Sequence, residues 1–181
     1  MHITAIETIH VGAYPNITFV EIHTDEGLTG LGETFRTPRA VAAQVHETVA
    51  AYLLGKDPLA IAAHSHVLLS PYLGFASSGV ETRAASAVDI ALWDIMGKAL
   101  GCPVHQLLGG LSREKIRVYN TCAGYTYNAS GGRRRLVTTD GRDEPAEGPY
   151  EDQVAFARRP AELAHSLLEM GITAMKIWPF D

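Results

Sequence analysis

The stretch from Ala84 to Gly109, AASAVDIALWDIMGKALGCPVHQLLG, constrains this chain more than any other. Val80, Ala84, Ala87, Val88, Ala91, Leu92, Ile95 and Ala99 recur at spacings of three and four, which predicts one amphipathic helix with a continuous apolar stripe. Many of these residues are small, so another backbone can come close. Ser77 and Ser78 stand upstream as candidate N-caps, and Gly101 with Pro103 supplies the stop. Asp94 and Lys98 lie four apart in the favoured acid-then-base order. Spacing alone supports a core helix that joins two domains.

Before this helix the hydrophobic period changes once. Ile3 to Val11, Ile17 to Thr24 and Thr29 to Thr34 alternate apolar and polar residues, and Asp25-Glu26-Gly27 is a tight-turn signal. These segments predict an antiparallel three-stranded meander over residues 3–34. Thr37-Pro38 then reads as an N-cap and N1 pair opening a helix to about Leu54, and a second helix covers roughly Leu59 to Leu69. Strands followed by helices argue for an α+β domain up to about residue 110. Beyond it, Lys115 to Cys122 reads as a strand, and residues 124–153, rich in Gly, Arg, Asp, Glu and Pro, read as a long loop. Arg159-Pro160 opens a helix through Met170, Gly171 ends it, and Thr173 to Ile177 reads as a buried strand. Strand, helix, strand is one βαβ unit and demands a parallel pairing.

Composition narrows the partners. A formal net charge of -5 over 181 residues leaves no electrostatic footprint for nucleic acid, and the short run Arg133 to Arg135 reads as solvated loop. No uninterrupted apolar run is long enough to span a bilayer, and the alternating start MHITAIETIHV lacks a signal-peptide core. Two cysteines, Cys102 and Cys122, make no disulfide framework, so a cytoplasmic protein is the expectation.

The residues of the long helix carry more than their spacing. Ala84, Ser86, Ala87, Val88, Asp89, Ala91, Leu92, Asp94, Gly97, Lys98, Pro103, Val104, Leu107, Leu108 and Gly109 stand in the order of a known signature. The chain resembles the mandelate racemase and muconate-lactonizing branch of the enolase superfamily. The resemblance implies an α+β capping domain over residues 1–112. It implies that residues 113–181 are the strand–helix–strand beginning of a modified TIM barrel. The loop at 124–153 is no family-wide feature; because it leaves the C-terminal end of the first barrel strand, it is expected to be a lid over the barrel mouth. Two cap loops close over the substrate in this family. Tyr14 and Asn16 lie at the first, Phe35 and Arg36 at the second, and Arg36 could pair bidentately with a carboxylate.

The family's second barrel strand ends in Lys-x-Lys, whose two side chains share one strand face. Here the motif reads Lys176-Ile177-Trp178. The resemblance makes Lys176 the candidate catalytic base, with Trp178 and Tyr125 as further substrate contacts. An indole cannot abstract a proton, so one usual base is missing. The family's Mg²⁺ ligands belong to later barrel strands, so no metal ligand is expected within these residues. A complete barrel takes about 250 residues, and about seventy follow the signature. A fragment or truncated product of a longer protein is therefore expected, inactive by itself. His64 and His66, two apart on a predicted helix, make a poor metal pair. Asp89 and Asp94 are expected to bond across the cap–barrel junction, and Cys122 to be a small packing residue.

The implied chemistry is Mg²⁺-assisted abstraction of the proton α to a carboxylate. Racemisation wants a base on each side of the carbon, whereas dehydration can run with one. A sugar-acid dehydratase is the preferred expectation, and a racemase/epimerase or cycloisomerase the runner-up. A non-catalytic capping or assembly domain is the rival from another class. The expected partners are a small hydroxy-carboxylate and further copies of the chain in a homo-oligomer, with no nucleic acid and no membrane.

Overall fold

The computed structural model describes residues 1–70, 79–123 and 152–177. The chain divides into two compact units, Met1–Ser112 and Arg113–Asp181.

The first unit opens with β1 (Ile3–Ile9), β2 (Ile17–Thr24) and β3 (Thr29–Phe35), antiparallel and in the order β1-β2-β3. The expected meander is present, and no helix interrupts it. Strand alternation sorts its residues cleanly. Thr18, Val20, Ile22 and Thr24 are buried on one face, while Phe19, Glu21 and His23 are half-buried on the other. Register sets Ile6 opposite Ile22 and Glu7 opposite Glu21.

Helix α1 (Pro38–Gln44) continues through a π turn at Val45–Val49 into α2 (Ala50–Leu53). The single helix expected to about Leu54 is thus one rod with a wide turn in its middle. That turn buries both Val45 and Val49 and brings the His46 ring to 2.8 Å from the Thr8 hydroxyl of β1. Thr37 precedes Pro38 as expected but makes no side-chain cap bond, because its backbone is left-handed, at φ 48°. Helix α3 (Ile61–Leu68) buries His64, whose Nδ1 lies 3.2 Å from the Tyr52 hydroxyl and whose Nε2 lies 2.8 Å from the Asp57 carbonyl. Both ring nitrogens have partners, so His64 is a satisfied core histidine and no half of a metal pair.

Helix α4 (Val80–Leu100) follows, with Gly79 at its N-cap. Ser77 and Ser78, the expected caps, lie outside the described residues. Its buried stripe is Ala84, Ala87, Val88, Ala91, Leu92 and Ile95, widened by Ala85 and Gly97. Ala99 departs from the expectation and is exposed, because the sheet beneath the stripe has ended by that turn. Gly101 terminates the helix in the left-handed conformation. Cys102 N–H bonds the Gly97 carbonyl and Gly101 N–H that of Lys98, the pair of bonds that defines a Schellman stop. The short α5 (Val104–Leu107) follows Pro103.

Helix α4 lies on β3 at two glycines. A Cβ built on Gly30 would overlap the Ala91 carbonyl oxygen and stand 2.6 Å from Ile95 Cγ1, and one built on Gly32 would overlap the Ala87 carbonyl. Asp94 and Lys98 then reach the exposed edge of β3. Asp94 Oδ2 accepts from Leu31 N–H at 2.9 Å, and Lys98 Nζ donates to the Thr29 carbonyl at 2.6 Å and to Asp94 at 2.8 Å. On the other side of the helix, Asp89 accepts from the Ser65 hydroxyl of α3. Both aspartates therefore find partners inside the first unit, which corrects the expected cap–barrel role. Their carboxylates are already engaged by the cap's own orphan donors.

The second unit carries α6 (Asp152–Arg158) and α7 (Pro160–Glu169). Helix α6 was not anticipated, and its first two residues fall within the expected loop 124–153. Residues 124–151 of that loop, and with them the expected lid, lie outside the described residues. Pro160 explains the break between the helices, since proline has no N–H to continue α6 and is favoured at N1 of α7. Cys122, Ala155, Leu163 and Leu167 form the buried cluster, flanked by Phe156, Ile172 and Met175.

The two expected strands are reduced to one parallel bridge between Asn120 and Met175. Asn120 N–H donates to the Ala174 carbonyl at 3.0 Å and Lys176 N–H to the Asn120 carbonyl at 2.8 Å. Direction and register are those of a βαβ unit. The strand length is not, and Thr173, Lys176 and Ile177 are exposed where a buried strand was expected. A lone parallel pair has a single ladder and is marginal at best. Among the described residues no helix is long and apolar enough to cross a membrane.

The glycine contact is testable by urea denaturation. Gly32→Ala forces a methyl into the Ala87 carbonyl and should lower stability by about 2–3 kcal/mol, the upper range of overpacking. Gly12→Ala, whose new Cβ would meet nothing within 4 Å, should stay within about 0.5 kcal/mol. Equal effects would dismiss the close approach as the cause.

Candidate functional site

Four of the sequence-predicted site residues meet at one end of the cap sheet. Pairing of Ile17 with Phe35 closes the β2–β3 ladder, and just beyond it Arg36 N–H donates to the Asn16 carbonyl at 2.7 Å. The loop before β2 is a turn, closed by Tyr14 N–H on the Val11 carbonyl and Ile17 N–H on the Tyr14 carbonyl. Asn16 is buried to 7% exposure, while the Tyr14 ring stands out at 57%.

The loop after β3 is strained. Arg36 and Thr37 have φ of 74° and 48°, consecutive left-handed residues of which one is β-branched. Such conformations persist only where surroundings over-determine them, and they concentrate at functional sites. The surroundings here are visible. Arg83, in the first turns of α4, donates from Nη1 to the Phe35 carbonyl at 2.6 Å, and Asn16 holds the next peptide. The Arg36 guanidinium is left exposed, with its carbon 5.6 Å from the Phe35 ring centroid. A ring on one side and water on the other present the fork of donors to an incoming carboxylate. Arg83 was missed in the sequence, where it is an arginine among alanines. Its place four residues ahead of Ala87, on the side of the buried stripe, was the available signal.

The second unit places Lys176 directly after the parallel bridge, with its side chain exposed. Tyr125 and Trp178 lie outside the described residues. Behind Lys176 stands a polar node that sequence reasoning did not single out. Asn120 Nδ2 donates to Asp152 Oδ2 at 2.8 Å, and Asn120 Oδ1 accepts from Cys122 N–H at 2.7 Å. Cys122 is fully buried, at φ 50°. Burial pushes its thiol above the ordinary range, and the neighbouring Asp152 charge pushes the same way. A buried thiol held protonated is a poor nucleophile, which agrees with a packing role.

Among the described residues one set of three metal-type ligands converges, Glu7, Glu21 and His23. It sits on the outer face of the cap sheet, in the unit that does not contain Lys176. No three such ligands converge among the described residues of the second unit.

The domain described as mandelate racemase / muconate lactonizing enzyme, N-terminal domain, matches residues 2–109. The chain belongs to this family. Its architecture is the family's α+β capping domain followed by the strand–helix–strand opening of the barrel, the strands here shortened to a single bridge. A D-galactonate dehydratase of Xanthomonas campestris pv. campestris (strain B100) is 44% identical over 128 residues, 68% of this chain and 32% of that protein. The chain thus spans about a third of the length of that dehydratase. An enolase of the mandelate racemase subgroup from Agrobacterium tumefaciens superposes with a TM-score of 0.73 at 47% identity, covering 100% of this chain and 40% of its own. An enolase from Pantoea ananatis, solved with bound D-gluconate and Mg, gives a TM-score of 0.60 at 38% identity, covering 66% and 30% of the two chains.

The two cysteines provide a check on the node at Asn120. With a thiol reagent at pH 8, Cys102, which is partly exposed, should react in the folded protein. Cys122 should react only after denaturant is added. Fast labelling of Cys122 in the Cys102→Ser variant would contradict its burial.

Proposed function

We propose that this chain is the cap and barrel opening of a cytoplasmic sugar-acid dehydratase, with residues 1–112 as the cap and 113–181 as the beginning of the barrel. The observation that carries the reading is the 44% identity to a D-galactonate dehydratase over 68% of the chain. The exposed Arg36 on its strained loop supports it, being suited to a carboxylate. The substrate is a small polyhydroxy acid, and the assembly a homo-oligomer. Mg²⁺ belongs to this reading as the ion that stabilises an enediolate; its ligands are expected on later barrel strands.

Each residue then has a task. Arg36 pairs with the distal, non-reacting part of the acid or its carboxylate, and Asn16 and Arg83 hold the Arg36 backbone in place. Tyr14 offers a hydroxyl to the sugar hydroxyls, and Phe35 supports the guanidinium. Lys176 takes the α-proton, and the C–H electrons pass into the carboxylate as an enediolate. Those electrons then expel the β-hydroxyl, which leaves with a proton as water. The resulting enol becomes a 2-keto-3-deoxy acid. One base serves both proton transfers, and the indole of Trp178 cannot supply a second.

The test uses the full-length protein with D-galactonate and D-gluconate, following 2-keto acid formation and exchange of the α-proton with deuterated water. Lys176→Ala should abolish both while the fold is retained. Arg36→Ala should raise KM about tenfold or more, as expected for a lost charge-assisted pair worth about 1.5–3 kcal/mol. Near-normal turnover in Lys176→Ala would remove it as base. Epimerisation of an acid without release of a keto acid would favour a racemase over a dehydratase.

A further inference from the structure

We propose that Glu7, Glu21 and His23 form a divalent-metal site on the outer face of the cap sheet. Their ligand atoms all lie within 4.8 Å of one another. Three observations point to a cation between them. Glu7 and Glu21 are directly opposed across β1 and β2, a like-charge pair that destabilises a sheet unless something positive sits between the carboxylates. His23 Nε2 is shut off from solvent and has no hydrogen-bond partner, the kind of buried polar atom that folded proteins rarely leave alone. That nitrogen stands 3.7 Å from Glu7 Oε1 and 3.7 Å from Glu21 Oε2.

The spacing is within ion-pair range for a protonated imidazole and beyond hydrogen-bond range. At 3.7 Å neither carboxylate accepts a hydrogen bond from the imidazole. A metal with bonds of about 2.0–2.2 Å to nitrogen and oxygen separates its ligand atoms by about 3–3.6 Å, so the gaps need only small side-chain movements. The other ring nitrogen is already engaged. Nδ1 lies 3.1 Å from the Thr29 hydroxyl of β3, so an N–H there fixes the ring with Nε2 facing the glutamates. Two carboxylates and one imidazole suit Zn²⁺ or a similar first-row divalent ion, with water completing the shell. Such an ion joins β1 to β2, while the Thr29 bond carries the link to β3.

The probe is Zn²⁺, titrated calorimetrically into chelator-treated protein, with side-chain NMR of the histidine ring nitrogens. The expected result is one Zn²⁺ per chain, a shift at His23 Nε2 and a raised thermal midpoint. His23→Ala and Glu21→Gln should each weaken this binding at least tenfold while melting normally in chelator. Thr29→Val should weaken it about tenfold, as for a lost partner behind a metal-bound histidine. If the protein takes up no Zn²⁺, or if His23→Ala binds it as tightly as the unaltered chain, the site does not exist.

Discussion

Helix α4 meets strand β3 backbone to backbone, and most of the cap follows from that contact. Gly30 and Gly32 put no side chain where α4 crosses β3, and the Ala87 and Ala91 carbonyls occupy the space a Cβ would need. The approach brings Asp94 and Lys98 over the outer edge of the sheet. An edge strand exposes unpaired N–H and C=O groups, which invite pairing with another chain. Here the Leu31 N–H and the Thr29 carbonyl are taken by those two side chains. The acid-then-base pair is thus more than a helix-surface ion pair, whose contribution would be a few tenths of a kcal/mol. It closes the sheet edge that the glycines allow the helix to reach.

The same seating shapes the end of the cap sheet that carries Arg36. With α4 set by the glycines, Arg83 arrives at the end of β3 and holds the Phe35 carbonyl. The next two residues can then be left-handed, at a cost of about 1–3 kcal/mol each. The bonds from Arg83 to Phe35 and from Arg36 to Asn16 offset that cost. Arg36 is therefore positioned by a chain of contacts that begins in the core. Its guanidinium stays open to solvent while its backbone is fixed on both sides.

Elements defined by local periodicity were legible in the sequence. The period-two strands, the Asp25-Glu26-Gly27 turn and the stop at Gly101 all lie where alternation and turn chemistry place them. What was not legible depends on partners distant in sequence. The π turn at Val45–Val49 buries two valines that a regular helix pattern does not distinguish. Asp94 looks like a helix-surface acid until β3 is beneath it. Glu7, Glu21 and His23 read as ordinary outward positions, and only the register, Glu7 against Glu21, brings them together. Arg36, Asn16, Phe35 and Tyr14 were expected from the family's loops and lie together at one end of the sheet, whereas Arg83 belongs to the scaffold behind them.

Lys176 poses a different physical problem. Strand formation usually fixes a residue through repeated ladder bonds, yet here a single bridge does so. Asn120 compensates by bonding through every polar group it has. Its N–H and carbonyl take Ala174 and Lys176, its side-chain oxygen takes the Cys122 N–H, and its amide takes Asp152. One residue thus ties together the segment carrying Lys176, the turn at Cys122 and the first residue of α6. A hydrophobic residue at position 120 would preserve the backbone bridge but release α6 and the Cys122 turn. Asparagine, with one donor and one acceptor arm on a short stem, meets both demands at once. The backbone of Lys176 is therefore held by the polar contacts of Asn120.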